Sequence, residues 1–157
     1  MAKQEWSDED YAMYHQFYEE FAAAPLDYVR HDANARTDVA LRTGVIEHGL
    51  EFAGKWWTMV ECLCSKRGHL YDVTTDTGWM QLALDLSTSG HMWSIDECRE
   101  FCEQLVGYGL ISPESWSIGH VVNERVLREC DKYAHAAAGK KLGSWKTNQA
   151  KLKSAGA

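Results

Sequence analysis

The stretch "WMQLALDLSTSGHMWSIDECREFCEQLVGYGLISPESWSIGHVV", residues 79–122, decides the fold. Trp79, Leu82, Ala83 and Leu86 recur at helical spacing, so a helix over residues 75–87 is expected with this set facing inward. "STSGHMW", residues 87–93, breaks it with Ser, Thr and Gly. Ser94 then caps a second helix, whose Ile95, Cys98, Cys102, Leu105 and Val106 form an inner face. "LIS", a turn at "PESW" and then "SIGHVV" read as a β-hairpin. Two helices joined by a turn and followed by a hairpin is the order of a winged helix-turn-helix.

Working outward, "HLYDV" at residues 69–73 is short and β-prone. Before it, "LEFAGKWWTMVECLCSKRG" places Ala53, Trp56, Trp57, Val60, Leu63 and Cys64 on one broad apolar stripe, the mark of a central helix. "VALRTGVIEHG" offers Val39, Leu41, Val45 and Ile46 and stops at Gly49. Near the start, Ser7 and Asp10 suit a helix cap, and a helix over 8–24 carries Tyr11, Tyr14, Phe17, Tyr18 and Phe21 as an aromatic face, with Glu19 and Glu20 toward water. Such a face buries against the core or pairs two copies of the chain, so a homodimer is one expectation. A last helix opens near Asn123 with Val126, Leu127, Cys130 and Tyr133 inward. "AGKKLGSWKTNQAKLKSAGA" after it shows no apolar face adequate for packing and reads as a flexible basic tail.

The expected fold is thus mainly α: a winged helix-turn-helix with a small β-hairpin wing, an extra N-terminal helix and a basic C-terminal tail. The corresponding regions are an acidic amphipathic helix at 1–24, a winged-helix domain at 25–138 and a tail at 139–157.

Charge divides the 157-residue chain unevenly. Lys132, Lys140, Lys141, Lys146, Lys151 and Lys153 give residues 132–157 a charge of +6 with no acid, so that a total of −7 leaves −13 on residues 1–131. An acidic body with a basic end points to contact with nucleic acid or an acidic partner. No run of apolar residues approaches a membrane span, and "MAKQEWSDEDYAM" has neither a basic n-region nor an apolar h-region, so a protein of the bacterial cytoplasm, away from membranes, is expected. The cysteines number five, which suits a reducing compartment. Cys62, Cys64, Cys98 and Cys102 could be drawn as a thiolate metal cluster, but they sit in apolar stripes, where unpaired Cys is an ordinary core residue.

"DYVRHDANARTD", residues 27–38, is the densest polar cluster. His31 and Asp32 are adjacent, so in an extended chain they point to opposite faces and form no dyad. No G-x-S-x-G elbow or H-E-x-x-H spacing supports them as catalytic or metal-binding residues. The better reading is structural: Asp32 or Asn34 bonds backbone N–H groups at a turn, Thr37 or Asp38 caps the next helix, and Arg36 forks onto a carboxylate. No catalytic residue, metal or cofactor is expected.

The motif "YVRHDANARTD" with Leu41, Arg42, Gly44, Gly49 and "GKWWTMVECL", then "LALDL", "VGYGLI" and "VVNERVLRECDKYAHAAAGKKLGSW", resembles the winged-helix N-terminal domain of phage and mobile-element replication proteins, relatives of the DnaD-like replisome organisers. The resemblance spans residues 25 to 145. It implies a winged-helix fold, a role near replication initiation and no catalysis.

The charge pattern bears on how such a protein would act. A winged helix presents its second helix to the phosphate-lined major groove, yet here Asp96, Glu97, Arg99, Glu100, Glu103 and Gln104 point outward, a net −3. Asp96, Glu97, Glu100 and Glu103 are therefore expected to bind a protein, and Arg128, Lys140, Lys141 and Lys146, with Trp145 able to stack on a base, to bind DNA. Two functions stand: a non-enzymatic replication adaptor that holds host or phage replication proteins and DNA, or a phage-encoded inhibitor, anti-CRISPR-like, whose acidic surface occupies the nucleic-acid site of a host defence complex.

Overall fold

The computed structural model describes residues 5–27, 35–87 and 91–156, with the side chain of Arg36 left aside. The chain is mainly helical, 76% helix, with one small antiparallel sheet of two strands. It divides into two compact units, Pro25–Arg128 and a second that joins Met1–Ala24 to Glu129–Ala157. No helix among the described residues is long and apolar enough to cross a membrane.

In the Pro25–Arg128 unit, α2 (Val39–His48) and α3 (Leu50–Ser65) meet at Gly49, and a 3-10 turn, Ala35–Thr37, precedes α2. Asp38 is the N-cap of α2, its carboxylate accepting the Leu41 N–H at 3.0 Å. On α3, Phe52, Trp56, Met59, Val60, Leu63 and Cys64 are buried, each large side chain contributing about 1.5–3 kcal/mol of burial. After a 3-10 turn at Arg67–His69 come β1 (Tyr71–Asp72), α4 (Asp76–Leu86) and α5 (Ile95–Gly107). Trp79, Leu82, Ala83 and Leu86 are buried as the sequence predicts. On α5 the inner face is Cys98, Phe101, Cys102 and Leu105, while Ile95 and Val106 are half-buried at its edge.

The region expected as a hairpin folds otherwise. Ser112 caps a short helix, α6 (Pro113–Ser117), with Pro113 in its first turn. Ser-Pro at this position is a helix start, because proline supplies a helical φ and lacks only an N–H that would have no partner there. The strand that follows, β2 (His120–Val121), pairs not with residues 110–112 but with β1, in the register Tyr71 to Val121 and Asp72 to His120. Ser112 N–H reaches Val122 O at 3.0 Å and closes the intervening loop.

Two glycines set how closely these elements approach. A Cβ on Gly78 would lie 1.8 Å from the Asp72 carbonyl oxygen, so the first turn of α4 sits directly on β1. A Cβ on Gly44 would lie 2.1 Å from the Phe52 ring, which stands edge-on to Phe101 and Tyr108.

The last helix, α7 (Glu124–Ala155), is entered through Asn123, which is buried. Its side-chain oxygen accepts the Val126 N–H at 2.8 Å and its amide donates to Leu110 O at 2.6 Å. Residues 139–155, expected as a flexible tail, continue this helix, so Ala138 lies inside it. The buried side of α7 is Val126, Cys130, Ala134, Ala138 and Leu142, a four-residue repeat; Leu127 and Tyr133, expected inward, are 38% and 51% exposed. Val39 and Ile46 on α2 are likewise outside, at 79% and 75%, because Leu41 and Gly44 form its inner side.

In the other unit, α1 (Asp8–Ala22) begins with a full capping box between Ser7 and Asp10. Its Phe17 joins Ala138 and Leu142 in a buried cluster, with Met13, Tyr14, Tyr18, Phe21 and Trp145 packed around it. Tyr11, expected in the sticky face, is 52% exposed and stands edge-on to Trp6.

Gly78→Ala and Gly44→Ala are each expected to cost about 1–3 kcal/mol through overpacking. Gly54→Ala on α3, where an added Cβ meets nothing within 4 Å, is expected to gain about 0.5–1 kcal/mol. Urea unfolding of the three variants checks this ordering; equal effects at Gly78 and Gly54 would contradict the close approach.

Candidate functional site

The apolar face of α5 dictates what its other face presents. With Cys98, Phe101, Cys102 and Leu105 turned inward, Asp96, Arg99, Glu100 and Glu103 must face out, and all four are exposed. Asp96, Glu100 and Glu103 lie at i, i+4 and i+7 on one stripe and make no ion pair with a described residue. Arg99, the base among them, reaches across to α4, 3.8 Å from Asp76 and over the Trp79 ring.

Glu97, expected alongside these acids, has a local task. It completes a capping box with Ser94, accepting the Ser94 N–H at 2.6 Å, and stands 3.4 Å from His91. The backbone hydrogen bond from Ser94 is the main cause that holds its carboxyl below the usual range. The expected set of four is therefore three open carboxylates and one cap.

The cysteines are free thiols. Burial pushes the Cys98 and Cys62 thiols up to about 11 and Cys102 further, which favours the neutral thiol at these three positions. Among the described residues no group of three or more His, Cys, Asp or Glu could hold a metal ion. Tyr71, fully inside, donates to Asp85 at 2.7 Å, and Gln81 donates to the other oxygen of the same carboxylate at 2.8 Å. Burial, then the Asp85 bond, raises the Tyr71 phenol, which fixes β1 to α4 as a neutral hydrogen-bond donor.

His31 and Asp32 of the dense polar motif lie outside the described residues, as does the Arg36 side chain. Asp38 takes the capping role that its position predicts.

The lysines expected to grip DNA are placed in two ways. Lys146 donates to Asp10 at 2.8 Å, and Lys141 pairs with Glu20 at 2.5 Å while standing 4.7 Å from the centre of the Phe17 ring. The two helices run antiparallel: from Asp10 through Tyr14 to Tyr18 along α1, the partners on α7 step back from Lys146 through His135 to Asp131. Lys140 faces away with Gly143, Ser144, Thr147 and Asn148 along a shallow open groove. Arg128 stands 3.9 Å from Glu124, one turn away. Asp10 reads from sequence only as a helix cap and Glu20 as a solvent-facing acid, and the signal that could have found their pairing with lysines is sign: acids on the first helix, lysines on the last.

Matched against protein-family models, curated proteins and solved structures, the chain has no counterpart in any of the three comparisons.

The Lys146 hydrogen bond is the main cause that lowers the Asp10 carboxyl below its ordinary value. A depressed carboxylate contributes stability that is present above the unfolded value, about 3.9, and is lost as pH falls through the lower folded value. NMR titration of the Asp10 side chain is expected to give a midpoint below about 3.9 that rises toward it in Lys146→Gln. A wild-type midpoint at or above that value would contradict the pairing.

Proposed function

We propose that this protein is a non-enzymatic winged-helix adaptor of phage or mobile-element replication, docking through the acidic face of α5 on a basic protein surface, with nucleic acid held at the lysine-rich end of α7. The order α3, β1, α4, α5, β2 supports a winged-helix reading in which α6 stands where the wing would turn. The observation that carries the functional reading is the exposed stripe Asp96, Glu100 and Glu103 on the helix that would otherwise meet DNA. Their carboxylates rise about 6 and then 4.5 Å along the helix axis. A duplex carries a phosphate about every 3.4 Å per strand, so this face repels DNA and suits a basic partner instead.

The same stripe favours a second reading, an inhibitor that occupies the nucleic-acid-binding surface of a host defence complex. Carboxylates spaced along a rod are attracted to a basic groove much as phosphates are. The two readings differ in whether DNA displaces the partner.

The variant Asp96→Lys/Glu100→Lys/Glu103→Lys alters exposed positions alone, so helicity is expected to remain. Partner capture from the host, followed by titration of the purified partner, is expected to show binding weakened roughly tenfold or more by the triple reversal, since like charges oppose across the interface. Displacement of wild-type protein by added DNA would select the inhibitor; a ternary complex would select the adaptor. Undiminished binding by the triple variant would remove the α5 face from either role.

A further inference from the structure

We propose that α1 is an internal anionic cover over a single-stranded nucleic-acid-binding face of α7. The inference rests on the reading that the lysine-rich end of α7 meets nucleic acid, and it adds what controls that meeting.

The covered face has the chemistry that single strands require. Trp145 is half-buried against the Phe17, Ala138 and Leu142 cluster, and in the helix it follows Lys141 by one turn and directly precedes Lys146. An aromatic ring between two cations recognises a base by stacking and its phosphates by charge, without sequence preference. In the folded chain these groups are already matched by anions and rings of the same molecule. Asp10 takes Lys146, Glu20 takes Lys141, and the Phe17 and Phe21 rings lie 4.7 and 5.6 Å from the Lys141 ammonium. The two carboxylates sit where phosphates of a bound strand would sit.

The cover is incomplete at one end. Asp10, in the first turn of α1, reaches Lys146, and beyond it residues 150–156 of the chain are exposed, including Lys151 and Lys153. Lys153 follows Lys146 by seven residues, two turns, so it continues the same side of the helix. Neither Lys151 nor Lys153 has an ion-pair partner among the described residues. A strand that engages these two lysines is placed to advance along α7 as α1 leaves. The Glu20–Lys141 pair is half-exposed and open to screening by salt, so displacement of its carboxylate by a phosphate exchanges one partner for another of like charge.

The test is fluorescence anisotropy of labelled mixed-sequence single-stranded DNA with the full chain, comparing wild type, Asp10→Asn/Glu20→Gln, and that variant with Lys141→Gln/Lys146→Gln added. Two freed lysines steepen the salt dependence by about 0.7 per contact on a single strand, so between about 50 and 200 mM salt the double variant is expected to lose roughly sevenfold more affinity than wild type, and to bind correspondingly tighter at the lower salt. Glu20→Gln alone, which leaves the Ser7–Asp10 capping box intact, is expected to show roughly half of this effect on a logarithmic scale. Loss of the gain on adding the lysine substitutions supports the proposal. Lysine-dependent binding that is identical in wild type and the α1 variants overturns the cover and leaves the nucleic-acid reading standing. No binding by any variant at low salt overturns both.

Discussion

Two carboxylates on the first helix set the charge that the rest of the molecule presents. Asp10 and Glu20 take the ammonium groups of Lys146 and Lys141, so the +6 of the C-terminal residues is not an open basic arm but a partly neutralised helix side. The pairing works because the two helices run antiparallel around Phe17, Ala138 and Leu142, which bring the acids into register with the lysines. Individual ion pairs at a surface contribute little, about 0–1 kcal/mol, and the apolar cluster between them holds the geometry. What the ion pairs decide is the sign and place of the remaining charge.

On α5 the same logic works in reverse. Ser94 and Glu97 cap the helix and satisfy each other's backbone groups, while a buried face of two cysteines, Phe101 and Leu105 fixes its rotation. Asp96, Glu100 and Glu103 then have no choice but to face water, and Arg99 is drawn off toward Asp76 and Trp79. The proposed docking of a basic surface on α5 rests on this arrangement of charges.

Much of the fold was legible because it is local. The caps at Ser7, Asp38 and Ser94 and the inward set Trp79, Leu82, Ala83 and Leu86 follow from spacing and short-range hydrogen bonds. The hairpin expected at 110–122 was not, because Ser112-Pro113 starts a helix and β2 finds its partner about fifty residues back, at β1. The end of α7 is hidden from sequence for a related reason. Ala138 is too small to announce a packed face, and its partner, the aromatic stripe of α1 around Phe17, lies more than a hundred residues away in sequence. The open acids of α5 were legible from amphipathicity, whereas the capture of Lys141 and Lys146 depends on that same distant packing.

If α1 orders and neutralises the basic end of α7, amide hydrogen exchange along that helix reports it. Slow exchange is expected for residues 138–146, fast exchange for 150–155, and fast exchange across both after removal of residues 1–24. An exchange profile for 138–146 that is unchanged by that removal, or already fast in the whole chain, would contradict it.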